Sequence, residues 1–423
     1  MTEPLKQGEM INKSKKHWLV LSVCCGLAAA AIGLCINAVG VFYTPVSESL
    51  GVMRGTFASH GTVSILATAV ISLFIPHILR KYPFKLVLII SVLIASMSTV
   101  MMAFSKQLLF FYLLGALRGA SSGLFAILPL TMIINQWFDK KHGLATSVVL
   151  GFSGLAGALF SPLFAYFIES LGWQTTYIIK GVVMLLICLP AIFYSFSIKP
   201  EDDGFLPYGY EGFVVKENPS INRKNKYNYF TLGFICFFIL AVLLNMLTGI
   251  TQHLPGFTES IGHHPSLGAT LISAAMMGNI SSKLVIGVIS DAFGAVKATI
   301  MMVLVNVIGI LLLVNSYNFL LLITGSFLFG SIYSICAVGI ALLTKRFFGI
   351  KNYTAVFSIV SFASNFGAAF ALSLVGYLYD FTGSYTAAFI TALSFQGFNI
   401  ILVGLVVKCR LIKENKGLTS DVI

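Results

Sequence analysis

Apolar runs of about twenty residues, the length an α-helix needs to cross a hydrocarbon core, recur twelve times along this chain. Bounded by their polar flanks, they cover 18–43, 57–79, 85–105, 108–136, 143–169, 174–197, 229–253, 266–290, 298–316, 319–344, 354–379 and 385–407. The breaks carry turn and charge signals such as Lys81-Tyr82-Pro83, Asp139-Lys140-Lys141-His142-Gly143 and Asp380-Phe381-Thr382-Gly383. The pattern predicts an all-α membrane protein with twelve transmembrane helices. Its longest polar interval, 198–228, holds Pro200, Glu201-Asp202-Asp203-Gly204 and Pro207 and reads as a linker. The predicted organisation is therefore a tail (1–17), a six-helix bundle (18–197), the linker, a second six-helix bundle (229–408) and a tail (409–423).

An internal repeat supports two halves. Ser147, Ser153, Tyr166, Glu169, Gly172 and Thr175 recur 211 residues later as Ser358, Ser364, Tyr377, Asp380, Gly383 and Thr386, and Gly119 meets Gly330. Two copies in the same orientation make pseudo-symmetric bundles.

Composition agrees. With 57% hydrophobic and 10% charged residues, the chain has too few charges to cover a soluble exterior. The net charge of +12 could suggest nucleic acid, but the basic residues do not share one face. With the N-terminus inside, 22 of the 27 fall in cytoplasmic segments and only Arg54 and Lys106 in outer loops. This asymmetry predicts both termini in the cytoplasm and an outer boundary formed by the cell membrane. The seven cysteines lie almost entirely within apolar runs and read as core residues rather than a disulfide framework or metal site. The N-terminus lacks a cleavable signal pattern.

Three basic residues remain inside helices: Arg118, Lys180 and Lys283. All fifteen acidic residues fall in loops, tails or helix ends. Unpaired cations in hydrocarbon are costly, so this one-sidedness points to an anionic substrate. Lys283 is the leading candidate contact, with Asn279 and Gly287 one turn away on the same face. Its bland alternative is a lysine whose long stem lets the ammonium reach the cytoplasmic surface. Arg118, followed by Gly119 and Gly123, is a weaker second candidate, balanced against a structural arginine bonded to carbonyls. Lys180 lies about two turns from the outer helix end and reads as snorkelling to that surface. Tyr43, Asn245, Tyr333 and Asn365 are further polar residues within spans, each individually closer to helix–helix glue than to a ligand contact. His60 and His253 lie near outer ends and read as interfacial, though they are the side chains there able to titrate near neutrality. Neither a nucleophile–base pair nor a phosphate loop is visible, and no enzyme activity or cofactor is expected.

Several stretches together resemble the monocarboxylate transporter and oxalate:formate antiporter branch of the major facilitator superfamily. Gly40-Val41-Phe42-Tyr43-Thr44-Pro45 with Arg54 looks like that family's first helix and following loop. Trp137-Phe138-Asp139-Lys140-Lys141-His142-Gly143-Leu144-Ala145 is similar to its WF-x-x-(K/R)-(K/R)-G-L-A signature, shifted by one at His142. Gly151 to Pro162, Gly172-Trp173 and Lys199 to Gly209 fit as well. The resemblance implies the major facilitator fold, alternating access, a monomer in the bilayer, and a carboxylate held by the basic residue four before the eighth-helix glycine, here Lys283. It also implies gating by Asp291 and Gly287 in the superfamily's loop motif, kept in part from Gly287 to Lys297. In the first half Arg80 stands where the equivalent aspartate would be, so one gating contact of two is expected. Asn279 replaces the aspartate of proton-coupled members, and the eleventh helix has no second basic residue between Asn352 and Asp380. Those departures favour exchange or uniport of a small monocarboxylate over proton symport. The competing readings are efflux of hydrophobic drugs, suggested by 36 Phe and 16 Tyr, and a transporter-like substrate sensor.

Overall fold

The computed structural model describes residues 15–52, 54–194, 196–210, 231–263, 265–315 and 318–415. The predicted tails, at 1–14 and 416–423, and most of the predicted linker, at 211–230, lie outside the described residues. Twelve helices are long and apolar enough to cross a membrane. We name them α1 (Lys15–Phe42), α2 (Ser59–Lys81), α3 (Phe84–Phe104), α4 (Leu108–Trp137), α5 (His142–Ser161), α6 (Tyr166–Phe193), α7 (Leu232–Leu254), α8 (Thr270–Phe293), α9 (Ala295–Val314), α10 (Phe319–Ile350), α11 (Asn352–Ala371) and α12 (Thr386–Cys409).

Two connections are tighter than the hydropathy pattern implies. The helix that opens with α5 runs on through the first residues of the span named α6 and is broken only by Gly172, at φ 82° and ψ 160°. Gly349 does the same between α10 and α11 at φ 73°. A left-handed backbone costs glycine little, so one residue replaces a loop.

Hydrophobic side chains gather in two cores. One is built from residues between Val20 and Phe196. The other runs from Phe234 to Val406 and also takes in Ile75, Leu128 and Leu150 from α2, α4 and α5. Large apolar side chains such as Phe104, Phe193 and Leu320 are left on the outside, as lipid contact requires.

The repeat is visible in the packing. Gly119 of α4 lies against the Ser64 carbonyl of α2, and Gly330 of α10 against the Ala275 carbonyl of α8. Both pairs are shifted by the same 211 residues, and a Cβ at either glycine would collide with the carbonyl. Small residues allow this approach. Regular α-helix is interrupted in α1, α4, α7 and α10: π-helical at Ala29–Asn37 and Ile335–Gly339, 3-10 at Leu247–Gly249, and a turn at 124–126.

The chain after α6 folds back onto the first half. Tyr208 exchanges backbone hydrogen bonds with Trp137, Asp139 and Lys140. His17 is buried, bonded to the Leu206 carbonyl at 2.8 Å and edge-on to Trp137 and Tyr208. Asp203 pairs with Lys16 at 2.9 Å and accepts from Ser197. Burial raises the Asp203 carboxyl, but the hydrogen bonds from Lys16 and Ser197 outweigh it and hold the group below its ordinary value.

Candidate functional site

Asn279, Lys283, Gly287 and Asp291 follow each other at four-residue intervals and so share one face of the helix that contains α8. That face lies on α5, and the two helices are linked rung by rung. At one end the Asp291 carboxylate accepts the Gly143 N–H at 2.7 Å and the Leu144 N–H at 2.9 Å. These donors belong to the first turn of α5, where N–H groups have no partner within the helix and favour an anion. Next, Gly287 sits against Gly143 and the Ser147 hydroxyl, with no room for a side chain. Then Lys283 Nζ donates to the Leu150 carbonyl at 3.2 Å and to the Ser153 hydroxyl at 3.1 Å. Finally, Asn279 lies beside Gly154, with its Oδ1 buried and lacking a hydrogen-bond partner.

Lys283 is 4% exposed, so the surface-seeking alternative does not hold. Its stem crosses from α8 to α5, between helices assigned to opposite halves. Both oxygens that receive it are neutral, which satisfies donors without cancelling charge. Cys336, in the π-helical stretch of α10, lies near it as a further neutral neighbour. The Ser153 carbonyl in turn accepts Asn37 Nδ2 of α1 at 2.9 Å.

A second group of cations lies wholly inside the first half. Arg118 is 1% exposed and Lys180 not at all. The expectation that Lys180 snorkels is therefore corrected: Trp173, Tyr177, Lys180, Met184 and Cys188 form one buried face of α6, while Val182, Leu186 and Phe193 face outward. The helix simply turns Lys180 inward. Its Nζ has no hydrogen-bond partner and sits 4.8 Å from the Phe42 ring centroid. Such a cation–π contact gives on the order of 2 kcal/mol when desolvated, less than the several kcal/mol it costs to bury an ion. Arg118 Nη1 touches Met102 Sδ at 3.6 Å, and its Nε and Nη2 have no partner. His60 is likewise buried rather than interfacial; its Nδ1 meets the Phe57 carbonyl at 2.7 Å, and its Nε2 is unpartnered. Among the described residues no carboxylate meets Arg118, Lys180 or Lys283.

The remaining candidates scatter. Tyr43 is half-buried, edge-on to His60 at 6.1 Å with its hydroxyl against Gly61. Asn245 turns back on its own helix, donating to the Ala241 carbonyl at 2.9 Å, and Asn365 does the same with Ser361. Tyr333 faces Thr251 of α7, one turn before Cys336. The sequence reading passed over Leu150 and Ser153 as acceptors for Lys283. Lys345, just past the tenth apolar run, is half-buried and interacts electrostatically with Asp139 and Asp291. Close by, His142 bonds Asn135, which Tyr353 of α11 also approaches. Arg80 turns its Nε to the Pro76 carbonyl of its own helix at 3.1 Å.

Known proteins resemble this chain in sequence and in fold. The Major Facilitator Superfamily pattern matches residues 25–269 and 234–417. The MFS-type transporter YcxA of Bacillus subtilis is 23% identical over 242 residues, which is 56% of this chain and 59% of that protein. Monocarboxylate transporter 12 of Xenopus laevis is 25% identical over 354 residues, covering 78% of this chain and 75% of that one. The crystal structure of the transporter FucP in the outward conformation superposes with a TM-score of 0.67 at 14% identity, over 92% of this chain and 98% of FucP. That likeness is one of fold. The protein is a multi-pass membrane transporter rather than an enzyme, and the chain belongs to the Major Facilitator Superfamily.

Proposed function

We propose that the protein carries a small organic anion of the monocarboxylate type across the cell membrane by alternating access between its two halves, 18–197 and 229–408. The observation that carries this reading is Lys283, a buried ammonium at the α5–α8 junction whose acceptors are both neutral. A carboxylate reaching it would replace the Leu150 carbonyl and Ser153 hydroxyl and supply the missing charge. Because those two oxygens belong to α5, substrate binding would loosen one rung between α5 and α8. Relatives named as monocarboxylate transporters support the substrate class. Asn279 holds the position one turn before Lys283 and cannot carry a proton, which favours exchange or uniport over proton symport.

In this scheme Arg118, Asn279, Tyr43, Asn245, Tyr333 and Asn365 contribute to the substrate path. Asp291 and Gly287 govern closure. With both termini cytoplasmic, the Asp291–Gly143 contact closes the cytoplasmic face. The test is uptake of labelled formate, lactate, pyruvate or oxalate into proteoliposomes, with and without preloaded anion. Uptake that requires preloading and disappears in Lys283→Ala supports the reading. Full carboxylate transport by Lys283→Ala would overturn it.

A further inference from the structure

We propose that Arg118 and Lys180 form a second anion subsite, buried in the first half between α1, α2, α4 and α6, which takes one small negatively charged group, either a carboxylate or a halide. Whether that group belongs to the transported molecule rests on the transport reading above; the subsite itself does not.

The inference starts from orphaned donors. Arg118 Nε and Nη2 are buried without partners. These two nitrogens form the side-on edge of the guanidinium, the fork that matches the two oxygens of a carboxylate. Lys180 Nζ, His60 Nε2 and the Tyr177 hydroxyl are also buried and unpartnered. His60 packs against Gly115, one turn before Arg118, and the rings of His60, Phe111 and Tyr177 lie in sequence up to Lys180, so the orphaned groups border one buried cluster. Two cations in one low-dielectric site repel each other unless something anionic lies between them. The titratable neighbours include Cys35, Tyr43, His60 and Tyr177, none of them a carboxylate. Aromatic contact with Phe42 and Tyr177 serves Lys180 alone and leaves the Arg118 fork unmet.

The wall toward α1 departs from regular helix. Cys35 sits in the π-helical stretch Ala29–Asn37, and such stretches mark places where a helix departs from its regular ladder near functional groups. Two residues on, Asn37 holds the Ser153 carbonyl, beside the hydroxyl that Lys283 uses. The same short piece of α1 thus borders both cation groups.

The experiment uses the full-length protein, purified without halide, and measures thermal unfolding and calorimetric binding with chloride, acetate and malonate. We expect saturable stabilisation of the wild type by acetate and by chloride. Because Lys283 is itself read as a carboxylate contact, the comparison is made in the Lys283→Ala background: there a saturable chloride and acetate effect should persist, and adding Lys180→Met or Arg118→Lys, each confirmed to melt cooperatively, should weaken it at least tenfold. Malonate binding at least tenfold tighter than acetate, with that advantage lost in both Lys180→Met and Lys283→Ala, would assign the second group to a dianionic substrate. Chloride competing with acetate, and malonate having no advantage, would assign it to a resident inorganic anion. No anion effect on the Lys283→Ala protein, or an effect there that Lys180→Met and Arg118→Lys leave unchanged, would overturn the subsite: Lys180 would then be relieved as the uncharged amine. Binding that persists while carboxylate uptake fails would overturn only the transport reading.

Discussion

Ser72 and Lys283 occupy equivalent positions in the two halves, 211 residues apart, and each reaches across to the facing helix. Ser72 donates to the Ser358 carbonyl of α11 at 3.1 Å, and Lys283 to the Leu150 carbonyl and Ser153 hydroxyl of α5. One position of the ancestral half has thus become a neutral latch on one side and a charged one on the other. Replacing Lys283 with Met should abolish carboxylate transport while raising the melting temperature, because a buried charge exchanged for an apolar side chain of similar size often gains about 1–4 kcal/mol. Ser72→Ala should cost about 1 kcal/mol of stability and leave transport within a few-fold of wild type. Thermal unfolding and proteoliposome uptake of the two variants side by side check both halves of this statement.

The Asp291 clamp should be directly measurable. Asp291→Asn keeps the shape and removes the charge that the first turn of α5 receives at Gly143 and Leu144. A hydrogen bond to a charged acceptor contributes about 1.5–3 kcal/mol, so amide exchange across residues 142–150 should accelerate at least tenfold. Unchanged protection of that stretch would remove Asp291 from any closing role.

Gly119 and Gly330 should respond alike to alanine. Each Cβ would enter the carbonyl of the neighbouring helix, at Ser64 and Ala275, and overpacking of this kind costs about 1–3 kcal/mol or more. Both Gly119→Ala and Gly330→Ala should lower the melting temperature by several degrees. If the two differ greatly, the halves are not packed by the same rule.

The contribution of Asp203 to the docking of residues 200–210 onto the first half should be insensitive to pH through the neutral and mildly acidic range. Asp203 has its carboxyl held below the ordinary value of 3.8, so its contribution is fully present above that value. It is given up only as pH falls through the lowered value. The difference in Tyr208 amide exchange between wild type and Asp203→Asn should therefore be steady from neutral pH down to about pH 5. Asp203→Asn should loosen the segment throughout that range.

Much of this was legible from residue order. Helix count, the two halves and the three membrane cations follow from apolar run length and the sparse charges. The face that each cation presents does not. Lys180 lies close enough to a helix end for its stem to reach water, and only the rotation of α6 set by Trp173, Tyr177, Met184 and Cys188 turns it inward. A regular burial stripe at those positions was the available signal. The acceptors of Lys283 were out of reach for a different reason: one is a backbone carbonyl, which no residue type announces. Arg80 shows the reverse. Its position implied a missing clamp, and the helix carrying α11 resumes right after Gly349, so Thr354 and Ala355, the equivalents of Gly143 and Leu144, lie well inside it with their N–H groups already engaged.

Gly172 has a mechanical meaning beyond its backbone angles. It is the single joint between the helix that carries Ser153, on which Lys283 rests, and the helix that carries Lys180. With no loop to absorb motion, a tilt of α5 away from α8 is passed to α6 as through a crank. Release of the first cation would then strain the pocket of the second in the same stroke.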